Sequence, residues 1–449
     1  MTSGATAEAG PTSRTVHAAA SLRGSLRLPS DKSVSHRALL FDAMGAGDAT
    51  VTLFRPGEDV LSTASVLRTL GAADEPAVDA DGTTRVRIHG GGTTAAARLP
   101  GEGGEVLDCG NAGTGMRLLA GALAGRDRTA TLIGDASLSS RPMERIAAPL
   151  RSMGVQVDTT DGHAPLTITG RHPLSAVHHE LPVASAQVLG CAVLAGLAAD
   201  GETTVTVPGP TRDHTERMLG WLGVPVTRSG RTTALQGPAG FSARDMAAPG
   251  DISGAAAWLV AGALHADAEI RLEHVGLNPS RTAIIDVLRE MGADIEVALD
   301  TSGELGPEPT GTISVRGGRE LQAVEISGDR VADLIDELPL LGVAMAAATG
   351  TSELRDAAEL RVKESDRIAL TVAGLRAGGA DAEELPDGWR VGRGEPADAD
   401  IRTAADHRIA MAFAVAAVTG VTGAVDIDDP DCAAVSYPGF WTDLEALSA

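Results

Sequence analysis

Leu150-Arg151-Ser152-Met153-Gly154-Val155 ends a run of helical pattern and begins a run of strand pattern. Glycine after the last helical turn is a natural cap, because it enters left-handed backbone without a Cβ penalty. The phrase returns as Leu67-Arg68-Thr69-Leu70-Gly71-Ala72 and as Met218-Leu219-Gly220-Trp221-Leu222-Gly223-Val224. It returns again as Leu288-Arg289-Glu290-Met291-Gly292-Ala293 and Leu375-Arg376-Ala377-Gly378-Gly379-Ala380, with a degenerate sixth copy near Leu444. A spacing of roughly 70 to 90 residues is long for a solenoid and suits repeated α/β units. Six units divide naturally into three per domain. Between the copies lie nearly all-apolar helical runs at 116–123, 188–197, 255–264, 340–348 and 409–418. Helices that are apolar all round are buried. The expected fold class is therefore α/β, with helices inside each domain and sheets outside, unlike a doubly wound fold. Residues 239–251, rich in small residues, Gly and Pro, are the expected crossing between domains, and residues 300–311 an exposed loop.

A chain of 449 residues is too long for one ordinary core, which agrees with two large domains. Apolar residues make up 43% and charged residues 22%, as in soluble globular proteins. Five Phe, four Trp and one Tyr leave the core to Ala, Val and Leu. A net charge of -23 argues against nucleic acid and anionic membranes as partners, since both require a basic footprint. It leaves room for a small anionic substrate in an arginine-lined cleft. Cys109, Cys191 and Cys432 are odd in number and far apart, so neither a disulfide framework nor a zinc spacing follows. Residues 1–14 are small and polar with no apolar core of a signal peptide, and are expected to be a disordered tail. The expected location is the cytoplasm.

The basic residues are distributed in an unusual way. Of 37 Lys and Arg only Lys32 and Lys363 are lysines. An ammonium can lose its proton, whereas a guanidinium stays charged in a protein, so these two positions are candidates for chemistry that Arg cannot do. Lys32 lies in Asp31-Lys32-Ser33-Val34-Ser35-His36-Arg37, a polar start to a helix from about Val34 whose backbone N–H groups and hydroxyls suit an anion. Lys363 lies in Arg361-Val362-Lys363-Glu364-Ser365-Asp366-Arg367, where the spacing places Lys363, Glu364 and Arg367 on one side of a helix.

Asp108-Cys109-Gly110-Asn111-Ala112-Gly113-Thr114-Gly115-Met116-Arg117 is glycine-rich and opens a buried helix, but has neither the Walker nor the dinucleotide spacing. Ligand approach and close helix packing both remain open there. Ser185-Ala186-Gln187 and Asp251-Ile252-Ser253 open two more buried helices. Asp336-Glu337 stands at the foot of another, where two carboxylates either stabilise the helix dipole or supply a base. Asp406-His407-Arg408 precedes the last, with His407 read as a core histidine. Asp213-His214-Thr215-Glu216 lacks the second His of a zincin, and no metal is expected. Six helix starts flanked by Lys, Arg, Ser or Asp across two domains point to one shared cleft for strongly anionic ligands.

Taken together, the stretches L-P-S-D-K-S-V-S-H-R, G-N-A-G-T-G-M-R, A-S-L-S-S-R-P-M, A-S-A-Q-V, T-R-D-H-T-E-R-M, L-N-P-S-R-T, I-D-E-L-P, L-R-V-K-E-S-D-R and D-H-R-I-A-M resemble the 5-enolpyruvylshikimate-3-phosphate synthase family. They occur in order from about residue 17 to 445, in forms similar to the divergent second bacterial class. The resemblance implies two domains of three βαβαββ units: residues 15–31 with 252–449, and residues 32–251, with the active site between them. It implies transfer of the enolpyruvyl group of phosphoenolpyruvate to the 5-hydroxyl of shikimate 3-phosphate, with no metal or organic cofactor. A monomer is expected, since two domains around one cleft need no partner.

By motif, Lys32 contacts both substrates. Ser33, Arg37, Ser185, Ala186, Gln187, Arg212, Asp336 and Lys363 hold shikimate 3-phosphate. Asn111, Gly113, Thr114, Arg141, Gln187, Arg367 and Arg408 line the phosphoenolpyruvate site. Asp336 takes the 5-hydroxyl proton, and Glu364 with Lys32 serves the methylene carbon. Gly113 is the small residue associated with sensitivity to glyphosate, so inhibition by it is expected. Ser30 replaces the usual Gly, Glu144 follows R-P-M, and Val435 stands where a first-class member carries Lys. The related transferase acting on UDP-N-acetylglucosamine uses a loop Cys before its R-P pair, and residues 136–140 contain none.

Overall fold

The computed structural model describes residues 13–94, 96–300 and 306–449. Its helices of eight or more residues alternate along the chain between an inner and an outer position. The first lobe holds α1 (Lys32–Met44), α2 (Glu58–Thr69), α3 (Gly113–Ala124), α4 (Glu144–Ser152), α5 (Ala186–Gly196) and α6 (His214–Trp221). The second holds α7 (Ile252–Leu264), α8 (Ala283–Glu290), α9 (Leu338–Ala347), α10 (Arg367–Ala377), α11 (His407–Val418) and α12 (Phe440–Ser448). Odd-numbered helices are buried along nearly their whole length, even-numbered ones on one face only. The apolar runs thus mark the inner helices, and α1 joins them although its polar start hid it.

The repeated glycine does the same work five times. Gly71, Gly154, Gly223, Gly292 and Gly379 have φ of 71°, 93°, 88°, 107° and 97°. In α4 the Gly154 N–H donates to the Arg151 carbonyl (3.0 Å) and the Val155 N–H to the Leu150 carbonyl (3.2 Å). The equivalent pair of bonds closes α2, α6, α8 and α10. This double closure satisfies carbonyls that the helix end would leave bare, and it turns the chain into the next strand.

Among the described residues three sheets cover each lobe. In a typical unit, Glu105–Asp108 runs through α3 into the parallel strand Thr129–Ile133, then through α4 into the antiparallel hairpin Gln156–Thr160 and His163–Thr169. The first unit of each lobe is built across the chain. Leu22–Arg27 pairs with Ala268–Gly276 of the second lobe, while Met246–Ala247 pairs with Ala46–Phe54 of the first. Two separate apolar cores result, one from residues 34–248 and one from residues 16–28 with 252–447. Trp258, Tyr437, Phe440 and Trp441 gather four of the ten aromatic residues where α12 docks on the second core.

The chain passes between the cores at 29–31 and 249–251. The Asp31 N–H donates to the Pro249 carbonyl (2.7 Å) and the Asp251 N–H to the Pro29 carbonyl (2.9 Å). Ser30 is buried between them, its hydroxyl donating to the Ala248 carbonyl (3.1 Å) and accepting from the Phe54 N–H (2.9 Å). The crossing is therefore narrower than the expected 239–251, because Met246–Ala247 is already tied to the first lobe by pairing with Val51–Thr52.

Two other expectations change. Glu308, inside the expected loop 300–311, is buried, with Asn278 and His214 as partners; residues 301–305 lie outside the described residues. The expected tail falls mostly on residues 1–12, also outside them, but Arg14 already pairs with Ile427 in a strand. Among the described residues no helix is long and apolar enough to cross a membrane.

Candidate active site

Residues at and just before helix starts meet at the seam between the lobes, as in the Lys32 N–H bond to Asp251 and the Arg212–Asp336 pair. Asp31 caps α1 by accepting from the Val34 N–H (2.9 Å), which leaves Lys32 and Ser33 as the first residues of the helix. Lys32 Nζ is paired with Asp59 at the start of α2. Burial would raise the Asp59 carboxyl, but Lys32 outweighs it and holds it below its ordinary value. Arg37, one turn on, is buried; its Nε donates to Thr215 Oγ1 (2.9 Å) and its Nη1 to the Ser33 carbonyl (3.0 Å). Burial lowers its pKa to about 10.

The N-terminus of α3 has no side-chain cap; Gly113 and Thr114 are its first residues, and the Gly113 N–H donates to the Asn111 carbonyl (2.8 Å). Such a terminus carries a partial positive charge suited to an anion. Gln187 at the start of α5 donates to Thr114 Oγ1 (2.8 Å) and accepts from Arg117. Ser185 caps α5, accepting from the Val188 N–H (3.4 Å), with Ala186 as the first helical residue. Arg141 donates to Asn111 Oδ1 (2.9 Å).

From the second lobe come the carboxylates. Asp336 precedes α9 and does not cap it. Its Oδ2 accepts from Arg212 of the first lobe at 2.7 Å, and Arg367 and Lys363 approach its Oδ1 at 3.5 and 3.9 Å. Glu364 lies 2.8 Å from Arg367 and 3.8 Å from Arg141 of the first lobe. A chain of alternating charge thus crosses the seam twice, from Arg141 through Glu364, Arg367 and Asp336 to Arg212. Burial alone would raise the Asp336 carboxyl; Arg212, Lys363, Arg408 and Arg367 together hold it well below the carboxylate range. Burial likewise opposes ionisation of Glu364, but Arg367, with Arg141 beside it, holds it low. Asp406, fully buried, anchors Arg367 (2.8 Å), and Arg408 donates to the Ser253 carbonyl (3.3 Å).

One local expectation is corrected. Lys363 and Glu364 are not on a helix with Arg367: a 3-10 turn ends at Val362, and α10 starts at Arg367 with Asp366 accepting from the Ala369 N–H (3.0 Å). Asp366 breaks the helical spacing because its side chain caps the new helix instead of continuing the old one. His407 is buried, and burial with Arg408 pushes its imidazole down to about 3. His214 pairs with Glu308 (2.7 Å) across the seam, and among the described residues no cluster of metal-type ligands converges. Asp59, Arg117 and Asp406 were not singled out by the sequence. Asp59 looks like an ordinary acid in a first helical turn, Arg117 was read only as part of a glycine-rich run, and Asp406 as a flank of His407.

A fold of two lobes, each of three inner-helix units, with cations and carboxylates meeting at the seam, defines the enolpyruvyl transferase class. The model of the EPSP synthase (3-phosphoshikimate 1-carboxyvinyltransferase) family matches residues 16–444. A 3-phosphoshikimate 1-carboxyvinyltransferase of Salinibacter ruber is 46% identical over 439 residues, covering 97% of this chain and 99% of its own. The solved EPSP synthase of Acinetobacter baumannii superposes with a TM-score of 0.85 at 40% identity, covering 97% of this chain and 98% of its own. The enolpyruvyl transferase NikO of Streptomyces tendae shares the fold, with a TM-score of 0.73 at 20% identity and 98% coverage of both chains. This chain belongs to the EPSP synthase family and is an enzyme of that family.

Proposed function

We propose that the chain transfers the enolpyruvyl group of phosphoenolpyruvate to the 5-hydroxyl of shikimate 3-phosphate and releases phosphate, using the residues assembled at the seam. The observation that carries the assignment of roles is the alternating chain Arg141–Glu364–Arg367–Asp336–Arg212, which sets two carboxylates among cations from both lobes. Lys32, Ser33, Arg37, Ser185, Ala186, Gln187, Arg212 and Lys363 take shikimate 3-phosphate. Lys32, Asn111, Gly113, Thr114, Arg141, Gln187, Arg367 and Arg408 take phosphoenolpyruvate.

The chemistry follows from this placement. A proton delivered to the methylene carbon by Glu364, assisted by Lys32, makes the adjacent carbon electrophilic. The 5-hydroxyl oxygen attacks it and yields its proton to Asp336. The tetrahedral intermediate then loses phosphate as the methyl group returns a proton. Both acids are held ionised by cations in the free protein, which makes Asp336 a weak base and Glu364 an empty donor. Substrate anions landing on Arg141, Arg212, Arg367 and Arg408 offset that field, so both carboxyl pKa values rise when both substrates are bound. Two anions that would repel in water are held side by side, and positioning supplies much of the rate gain.

The two cores act as two domains, residues 15–31 with 252–449 and residues 32–251, closing on the substrates about the crossing at 29–31 and 249–251. The protein works as a monomer in the cytoplasm, and glyphosate competes at the phosphoenolpyruvate subsite. The test is phosphate release from phosphoenolpyruvate with shikimate 3-phosphate, beside a parallel reaction with UDP-N-acetylglucosamine. Release with shikimate 3-phosphate alone, reduced by about 10²-fold or more in Lys32→Arg, supports the reading. Silence with shikimate 3-phosphate overturns it and points to another cyclic alcohol acceptor.

A further inference from the structure

Behind the seam lies a second charged cluster that the reaction as described does not use. Arg281, in the turn after Ala268–Gly276, is 3% exposed. Its guanidinium faces three carboxylates that each precede an inner helix: Asp31 before α1 (3.5 Å), Glu337 before α9 (3.6 Å) and Asp251 before α7 (3.7 Å). Its Nη2 also donates to Ser253 Oγ (2.5 Å), and that hydroxyl is bonded in turn to Glu337. Burial works against the charge on Arg281, but Asp31, Glu337 and Asp251 keep it protonated.

Each of these partners is one bond from a residue assigned to the reaction. Asp31 precedes Lys32, and Asp251 accepts from the Lys32 N–H (3.3 Å). Glu337 follows Asp336. The Ser253 carbonyl accepts from Arg408 (3.3 Å). One planar fork therefore touches the backbone supports of the amine, the base and an anion-binding arginine, which come from two lobes and three helices.

We infer that Arg281 is a positioning residue for enolpyruvyl transfer, holding Lys32, Asp336 and Arg408 in mutual register. This rests on the reading under Proposed function. A guanidinium fits the task because its donors are fixed in one plane, whereas an ammonium is a point charge on a flexible stem. A side chain that merely neutralised buried acids would do so equally well as Lys.

The experiment compares the parent protein with Arg281→Lys and the gentler Ser253→Ala. Positioning predicts that both variants fold, that kcat falls by about tenfold or more in Arg281→Lys and less in Ser253→Ala, and that KM for each substrate stays within about threefold. Hydrogen exchange, which needs no substrate, is expected to speed up in peptides covering 30–34 and 334–338, with peptides inside α3 as the unchanged control. A kcat in Arg281→Lys within about twofold of the parent, with unchanged exchange at both peptides, overturns the inference. Should Arg281→Lys fail to fold, Ser253→Ala carries the same two readouts. A parent protein silent toward shikimate 3-phosphate instead overturns the functional reading, while the exchange measurement still decides whether Arg281 fixes those segments.

Discussion

In the first lobe the inner helices start from Asp31, Ala112 and Ser185; in the second they start from Asp251, Glu337 and Asp406. The scaffold is the same and the chemistry is not. Around its seam-facing helix ends the first lobe presents mostly hydroxyls, amides and arginines, with Lys32 paired to Asp59 and Asp31 facing Arg281. The second presents carboxylates, each tied to an arginine. Both lobes bring cations to the seam, but the two carboxylates proposed to move protons, Asp336 and Glu364, come from the second lobe alone.

The largest effect should come from the second lobe. Asp336→Asn keeps the shape and an acceptor for Arg212 but removes the proposed base, so kcat should fall by about 10²–10⁴-fold while shikimate 3-phosphate still binds. Turnover and calorimetric binding measured on one preparation would check this; parallel loss of both would merge the two roles that the comparison separates.

A substitution in the first lobe should act on binding. A methyl group added at Gly113 would sit 3.0 Å from Arg141 Nη1 and 3.4 Å from Leu138 Cδ1, tight enough to push the guanidinium aside. Gly113→Ala should raise KM for phosphoenolpyruvate by about tenfold, weaken glyphosate inhibition further, and leave kcat within about threefold. Steady-state kinetics with and without glyphosate would test it, and a collapse of kcat alone would contradict it.

The smallest effect concerns stability. Asp42, in the last turn of α1, is buried, and burial raises its carboxyl from 3.8 to about 7. Between those values the folded chain holds a proton that the unfolded chain has released, so stability is lost as pH rises through that window. Asp336 and Glu364 are shifted the other way, so their contribution is present above the ordinary carboxylate range and is lost only as pH falls through it. The Tm of the parent should drop from pH 5 to pH 8 by about 2–4 °C more than that of Asp42→Asn. Equal drops would show that the slope arises elsewhere.

These contrasts were unevenly legible in the sequence. The glycine closures could be read because a left-handed residue after a helix leaves a one-letter mark, and the apolar runs because inner helices need no polar face. The lysines stood out against an Arg-rich background. What could not be read depended on distance along the chain. Glu308 looked like part of an exposed acidic loop because its partners, His214 and Asn278, lie 94 and 30 residues away. Lys363 and Glu364 fit a helical spacing that Asp366 interrupts. Arg281 sat in the quoted stretch L-N-P-S-R-T with no role, since the three acids that define it are scattered over residues 31 to 337.

The exchange of first strands between lobes also bears on the order of synthesis. Residues 34–248 form a core from one unbroken stretch, so the first lobe is complete as soon as Met246–Ala247 is added to its sheet. Leu22–Arg27 leaves the ribosome earlier but has no partner until Ala268–Gly276 follows. Over that interval an edge strand waits unpaired. Its sequence, Leu-Arg-Gly-Ser-Leu-Arg, carries two arginines and a glycine, residues that discourage pairing with the wrong neighbour.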